Sequence, residues 1–448
     1  MNGVRNRSLS ALALTCALLL FGCGGSSNSA DNNSGNTGSS NGTPTTSSSN
    51  PGNSGGAGSG GTTSGTGTTG TGTGSGTTGS TGSGSTGSGG TGSGSTSTTY
   101  LYAGTSINEG GISGYKVDTS SGNLTEISGS PTKLPSGFTT GGVMATNGSF
   151  VYTVNRPNEQ GGAAIYTFKV DATSGVLSPV GNAVTVTSQN DAAVRRLVLS
   201  PDGKTAYLLS QLSVTAVALN NGSPANLNAE VVTTGFTFGI GVANHFAYVG
   251  VQDGSPKTGF AQPVIKAIPL NPDGSMGAAQ TVVTLADSNI PYDLTVDAAG
   301  KYVAATTGFN NGAVSVWAID SMTGVLTAVP GSPFTNSGDI GKRVRFNPSG
   351  THLYLINNPD FEPRHEDVKV FSVGNNGALT LAQTLDLGTE ESVTDFEMGN
   401  DFGYVANQTQ SVQGNILVLR RDSSSGQLSQ ASATNLGTPP GGLGTVHF

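Results

Sequence analysis

The chain of 448 residues carries 19 basic and 27 acidic side chains for a net charge of −8, and only 10% of its residues are charged. So sparse and acidic a charge set excludes nucleic acid as a partner and gives no electrostatic pull toward anionic lipid. Both cysteines fall within the first 23 positions, which excludes a disulfide-stapled fold, a thiolate metal site and a cysteine nucleophile in all that follows.

The N-terminus reads as an export signal. Arg5 and Arg7 precede the apolar run 9–21, LSALALTCALLLF. That is too short to span a bilayer and right for the hydrophobic part of a signal peptide, residues 1–22. The run ends in Leu20-Phe21-Gly22-Cys23, which resembles the lipobox of bacterial lipoproteins. The resemblance implies cleavage before Cys23, lipidation of that cysteine and, because Gly24 rather than an aspartate follows, sorting to the outer membrane. Acyl chains bury methylenes at ~0.8 kcal/mol each, so two or more make a lasting anchor. Residues 23–98 are nearly all Gly, Ser, Thr and Asn, with Asp31 the single charge. Such a tract has nothing apolar to bury and reads as a disordered tether, with a root-mean-square reach of roughly 45–50 Å. The expectation is a lipid-anchored protein of the bacterial cell envelope, held to its membrane through Cys23.

From residue 99 the chain changes to short apolar runs separated by turns. One turn recurs: DTSSGNL around Gly122, DATSGVL around Gly175, LNNGSP around Gly222, NPDGSM around Gly274, DSMTGVL around Gly324, GNNGAL around Gly377 and DSSSGQL around Gly426. The spacings are 53, 47, 52, 50, 53 and 49 residues. A period near 50 with β-type content is a propeller signature, one four-stranded blade per repeat. The seven turns therefore predict an all-β, seven-bladed β-propeller over 99–448, with four antiparallel strands per blade.

A second turn keeps the same period: SPDGK (200–204), DAAGK (297–301) and NPSGT (347–351), with looser forms at 145–149 and 398–402. It joins strands one and two of a blade. Only six innermost strands precede the end of the chain, so 444–448, GTVHF, is expected to pair with 99–104, TYLYAG, and close the ring. Both tight turns fall on one face. The connections from strand two to strand three are long at 155–162, 252–262 and 357–367, which makes the opposite rim the expected binding face.

Repeats of the form D-x-x-[ST]-G-x-L, the steps Gly129-Ser130-Pro131 and Gly331-Ser332-Pro333-Phe334, and the run NPSGTHLYLIN (347–357) resemble the seven-bladed lactonase-like propellers. That family includes bacterial 6-phosphogluconolactonases and fungal carboxymuconate cyclases, and the resemblance covers residues 99–448. It implies His, Arg and Glu around the channel mouth in the family's enzymes, with Pro-His before one inner strand and Pro-Arg-His before another. Here those steps read Pro291-Tyr292 and Lys342-Arg343-Val344, and Asn357 stands where a Glu often follows the next strand. Only Arg343 matches.

The residues beside each inner strand's first core position crowd the channel. Round the ring they read Gly142, Arg196, Gly239, Asp293, Arg343, Asp395 and Thr445, then one layer deeper Met144, Val198, Gly241, Thr295, Arg345, Glu397 and His447. Opposite charges fall on neighbouring blades. They read either as inter-blade ion pairs satisfying one another, or as a pocket for a small anionic or glycan ligand. That pocket would comprise Arg196, Asp293, Arg343, Arg345, Asp395 and Glu397. Arg343, Glu397 and His447 are the candidates if the site is catalytic.

No metal or cofactor is expected. His365 stands with Asp360, Glu362, Glu366 and Asp367 on a solvated loop that fixes no ligand geometry. His245 and His352 lie by the tight turns, and no phosphate-loop or nucleophile motif occurs. With the family's histidines missing at the matching positions, no general base near neutral pH is evident. The expectation is a non-catalytic module binding a protein, glycan or small anion at the long-loop rim. The alternative is a lactonase-like hydrolase acting on a sugar or muconate-type lactone.

Overall fold

The structure, a computed structural model, describes residues 97–105, 111–134, 143–155, 163–186, 194–253, 262–286, 289–307, 313–335, 340–357, 366–388, 392–408 and 413–448. The expected signal peptide, Cys23 and the tether up to residue 96 lie outside them. So do Gly142, His365 and most of the three long loops.

Within the described residues the regular elements are strands, and they form seven antiparallel sheets, the blades of a propeller. The innermost strands, in ring order, are Pro440–His447 in blade 1, Val143–Asn147 in blade 2, Arg196–Leu199 in blade 3 and Gly235–Val242 in blade 4. Pro291–Val296, Gly341–Phe346 and Ser392–Met398 follow in blades 5, 6 and 7. Four sheets have four strands, while in blades 1, 2 and 5 the outer strand is split into two pieces. In blades 1 and 5 the split falls at the two Gly-Ser-Pro steps. The serine hydroxyl there takes over a ladder position: Gly114 N–H donates to Ser130 Oγ at 3.0 Å and Val316 N–H to Ser332 Oγ at 3.0 Å.

The C-terminal strand closes the ring as expected and is longer than expected. It starts at Pro440 and pairs with Thr99–Thr105 from Thr99↔His447 to Thr105↔Pro440. Beyond the ladder, Thr98 and Phe448 exchange two backbone hydrogen bonds of 2.9 Å. Each blade is covered on both faces by its neighbours, so its second and third strands are apolar almost without alternation. Tyr207, Leu208 and Leu209 are all buried, as are Leu101 and Tyr102. Seven hydrophobic clusters result, each filling the space between two adjacent blades.

The recurrent turn has a structural task that its own blade does not explain. Its aspartate caps the bend, with Asp171 Oδ1 accepting from the Ser174 N–H at 2.8 Å and Asp422 Oδ1 from the Ser425 N–H at 2.7 Å. Its glycine is then laid on the first ring of the preceding blade's second strand. Gly175, at φ +75°, faces Tyr100 so closely that an added Cβ would stand 2.5 Å from the ring. Gly222 meets Phe150 in this way, Gly324 meets Phe246, Gly377 meets Tyr302, Gly426 meets His352 and Gly122 meets Phe402. Two residues along that strand, a buried tyrosine clasps the same turn. Tyr102, Tyr248 and Tyr354 donate to the carbonyls of Gly175, Gly324 and Gly426 at 2.7, 3.3 and 2.8 Å. Only glycine combines the positive φ with that approach, so the repeat is a blade-to-blade clamp as well as a turn.

Candidate ligand site in the central channel

The innermost strands surround a cavity of about 360 Å³ on the channel axis. Their register says which side chains enter it. Residues opposite the inner tyrosine of strand two, or opposite Ala304 where blade 5 has no tyrosine, are Gly444, Ala145, Val198, Gly241, Thr295, Arg345 and Glu397 in blades 1 to 7. Two residues earlier come Gly442, Val143, Arg196, Gly239, Asp293, Arg343 and Asp395. Blades 3 to 7 agree with the sequence expectation. Blade 2 is off by one, because Met144 turns into the core between blades 1 and 2. Blade 1 is off further: Thr445 lies beyond the deeper layer, where its carbonyl accepts from Thr146 Oγ1 at 2.7 Å. His447 is exposed, paired with Thr99 and bonded to the Thr99 hydroxyl at 2.9 Å. The closing strand has no following turn to count back from, so its register was not recoverable from turn spacing.

Bulges place the charged groups. In blades 4 to 7 the innermost strand shifts register between Thr237 and Ile240, Pro291 and Leu294, Gly341 and Arg343, and Val393 and Asp395. A bulge bends its strand and re-aims the side chains beside it. In blade 5 the Asp293 N–H, out of register, donates to Thr306 Oγ1 at 3.1 Å. In blade 4 the bulge carries Gly239, where a Cβ would stand 2.7 Å from the Asp293 Cα. Blade 4 thus offers no side chain at the mouth. Arg196 of blade 3 therefore reaches Asp293 of blade 5 directly, Nε to Oδ1 at 3.7 Å.

The charges form a chain around the channel. Asp293, buried to 2%, accepts from Arg345 Nη1 at 2.6 Å and from the Val344 N–H at 3.1 Å. Asp395 accepts from Arg343 Nε at 3.2 Å and from the Leu443 N–H at 3.0 Å, with Arg345 Nη2 at 3.6 Å. Arg343 also donates to the carbonyls of Thr394 and Lys342. Burial pushes the Asp293 carboxyl up, but Arg345, Arg196 and Arg343 outweigh it and hold the group below its ordinary value. Burial, with Arg196 nearby, lowers Arg343 to about 10, still charged at neutral pH. Glu397 goes the other way: burial raises it to about 7, against the pull of Arg345 and with the help of Asp395.

Arg196, Arg345, Asp293, Asp395 and Glu397 line the cavity together, whereas Arg343 and His447 are not part of its wall. Arg195 also lines it, with Nη1 donating to the Thr237 carbonyl at 2.9 Å. The sequence reading passed over Arg195, although the Arg-Arg step itself was a visible signal in an otherwise charge-poor chain. Glu397 and His447 are not brought together. Among the described residues no group of three or more His, Cys, Asp or Glu side chains is arranged to hold a metal ion.

Solved structures similar to this chain include a candidate 6-phosphogluconolactonase from Bacteroides uniformis. It is 17% identical, over 78% of this chain and 99% of that one, at a TM-score of 0.61. A second candidate 6-phosphogluconolactonase, from Bacteroides fragilis, is 17% identical over 79% and 99%, at 0.60. A protein from Lactobacillus plantarum is 16% identical over 78% and 99%, at 0.54. No protein-family model matches the chain, and no curated protein matches it. At such identities the likeness establishes the fold. The described part of the chain is a seven-bladed β-propeller with the fold of those structures.

Proposed function

We propose that this protein is a lipid-anchored component of the bacterial cell envelope whose propeller binds a small anionic or glycan ligand in its channel without transforming it. The observation that carries the ligand reading is the cavity itself, about 360 Å³ and lined by Arg195, Arg196 and Arg345. Those are donors suited to carboxylate or sugar oxygens. No described histidine lines it. The anchor rests on the apolar run 9–21, the cysteine at 23 and the Gly/Ser/Thr tract that follows. A protein partner at the long-loop rim is compatible with the same display.

The second reading, a lactone hydrolase, has one observation in its favour. Glu397, raised by burial to about 7, has the affinity for a proton that a general base needs at neutral pH. The two readings part on turnover. Full-length protein is assayed on a panel of sugar and muconate-type lactones beside an Arg343→Ala/Glu397→Ala variant. The expected result is no hydrolysis above the buffer rate, together with saturable binding of a sugar acid or glycan. Turnover that vanishes in the double variant would establish the hydrolase instead. In the same strains, Cys23→Ala is expected to move the protein from the detergent-extracted fraction to the soluble one. A variant that still needs detergent removes the anchor.

A further inference from the structure

The charges in and around the cavity are engaged to different degrees. Arg345 spans Asp293 and Asp395, and Arg343 is bonded to Asp395 and two carbonyls. Two groups differ. Arg196 gives Nη1 to the Arg195 carbonyl at 3.0 Å, but its buried Nε has no hydrogen-bond partner, Asp293 being 3.7 Å away. Glu397, on the opposite side of the ring in blade 7, lines the cavity, and its carboxyl makes no hydrogen bond or ion pair among the described residues. The wall between them includes glycines on both sides, Gly241 on one and Gly441 and Gly444 on the other. A basic donor and an acid with an open valence thus face one polar space.

Resting on the channel reading above, we propose that the channel is a proton-coupled carboxylate site, in which a small organic carboxylate seats against Arg196 and Glu397 takes up a proton as it enters. The planar guanidinium fork matches a carboxylate, and Nη2, which makes no hydrogen bond among the described residues, is the donor left to give. A dianion such as sulfate is disfavoured by Asp293 and Asp395 on the same wall. Glu397 is faced by Arg345 from blade 6, Asp395 from its own strand and Tyr404 from the next strand of blade 7. The innermost strand of blade 1 brings only His447, which is turned away to Thr99. Arg345 is the one cation opposing protonation, and two aspartates already share it. A second negative charge in the cavity therefore favours the protonated acid, whose O–H then has the ligand to bond to. Burial having already raised Glu397 to about 7 supports this.

The test is calorimetric titration of the full-length protein with lactate, gluconate and sulfate, all ionised throughout about pH 6–8. Carboxylate affinity is expected to fall about tenfold from pH 6 to pH 8. Buffers of different ionisation enthalpy should report close to one proton taken up at the upper end. Glu397→Gln should bind at the acid-side affinity with a flat pH profile. Arg196→Ala should weaken binding at least about tenfold at every pH, and Arg196→Lys, which keeps the charge and so the fold, should fall between. Carboxylate binding with a flat wild-type profile, or an unchanged slope in Glu397→Gln, overturns the proton coupling and leaves the channel reading standing. Preference for sulfate, or full binding by Arg196→Ala, overturns the carboxylate seat. No binding of any of the three anions ends this inference, while glycan or lactone binding from the wider panel would keep the ligand channel. Silence there too would end both.

Discussion

Asp293 is held by three neighbours at once: Arg345 at 2.6 Å, the Val344 N–H at 3.1 Å and Arg196 at 3.7 Å. A buried ion pair of this kind is costly to break from one side, because the charge left behind has neither water nor partner. Arg345→Leu alone is therefore expected to cost about 3–5 kcal/mol, since it strips cations from both Asp293 and Asp395. Adding Asp293→Leu should recover much of that loss, and the coupling is read from a double-mutant cycle of denaturation curves. Additive costs would mean that the pair contributes no mutual stabilisation. These charges were legible in the sequence because acidic and basic residues are rare in a chain of which only 10% is charged. Their roles were less so: turn spacing cannot reveal which arginine an aspartate has engaged, nor that glycine at 239 lets Arg196 reach past a whole blade.

The turns carry the next scale. Their internal period was readable because glycine at positive φ and a capping aspartate are local requirements. The aromatic partner was not, because it lies in the preceding blade, about 75 residues away in sequence, as Tyr100 does from Gly175. Blade 6 departs from the pattern by placing His352 under Gly426, where blades 2, 4 and 7 use phenylalanine. Burial, with Arg421 near, lowers the His352 pKa. The folded state then binds that proton less readily than the unfolded chain, so its contribution to stability is present above the unfolded value near 6.5 and is lost as pH falls below it. The capping aspartates are also lowered, but by hydrogen bonds, and so act only in the more acid carboxylate range. His352→Phe should accordingly raise the melting temperature more at about pH 5.5 than at pH 7.5. An equal shift at both values would mean that packing alone, and not the proton, separates the two side chains.

At the scale of the molecule, seven blades share seven interfaces, and one of them depends on a strand contributed by the far end of the chain. The need for that strand was visible from counting: seven turns and six internal first strands leave one place empty. Its length and register were not visible, and with them went the placement of Thr445 and His447. Pro440–His447 is the innermost strand of blade 1, and it buries Leu443 and Val446 on either side of that blade. Its loss would bare one edge of Thr99–Thr105 along its whole length, remove the Leu443 N–H from Asp395 and open the channel wall formed by Gly441 and Gly444. Each buried apolar side chain contributes about 1.5–3 kcal/mol, and the ladder and ring closure add to that. A chain ending before Pro440 is therefore expected to lose its single cooperative melt and become sensitive to protease throughout the propeller. The exposed His447, by contrast, should be replaceable by alanine with a change of about 1 kcal/mol or less, because its one bond is to the Thr99 hydroxyl. If the truncated chain melted cooperatively at the temperature of the full chain, closure would not be what makes the blades one unit, and stability would have to be assigned blade by blade.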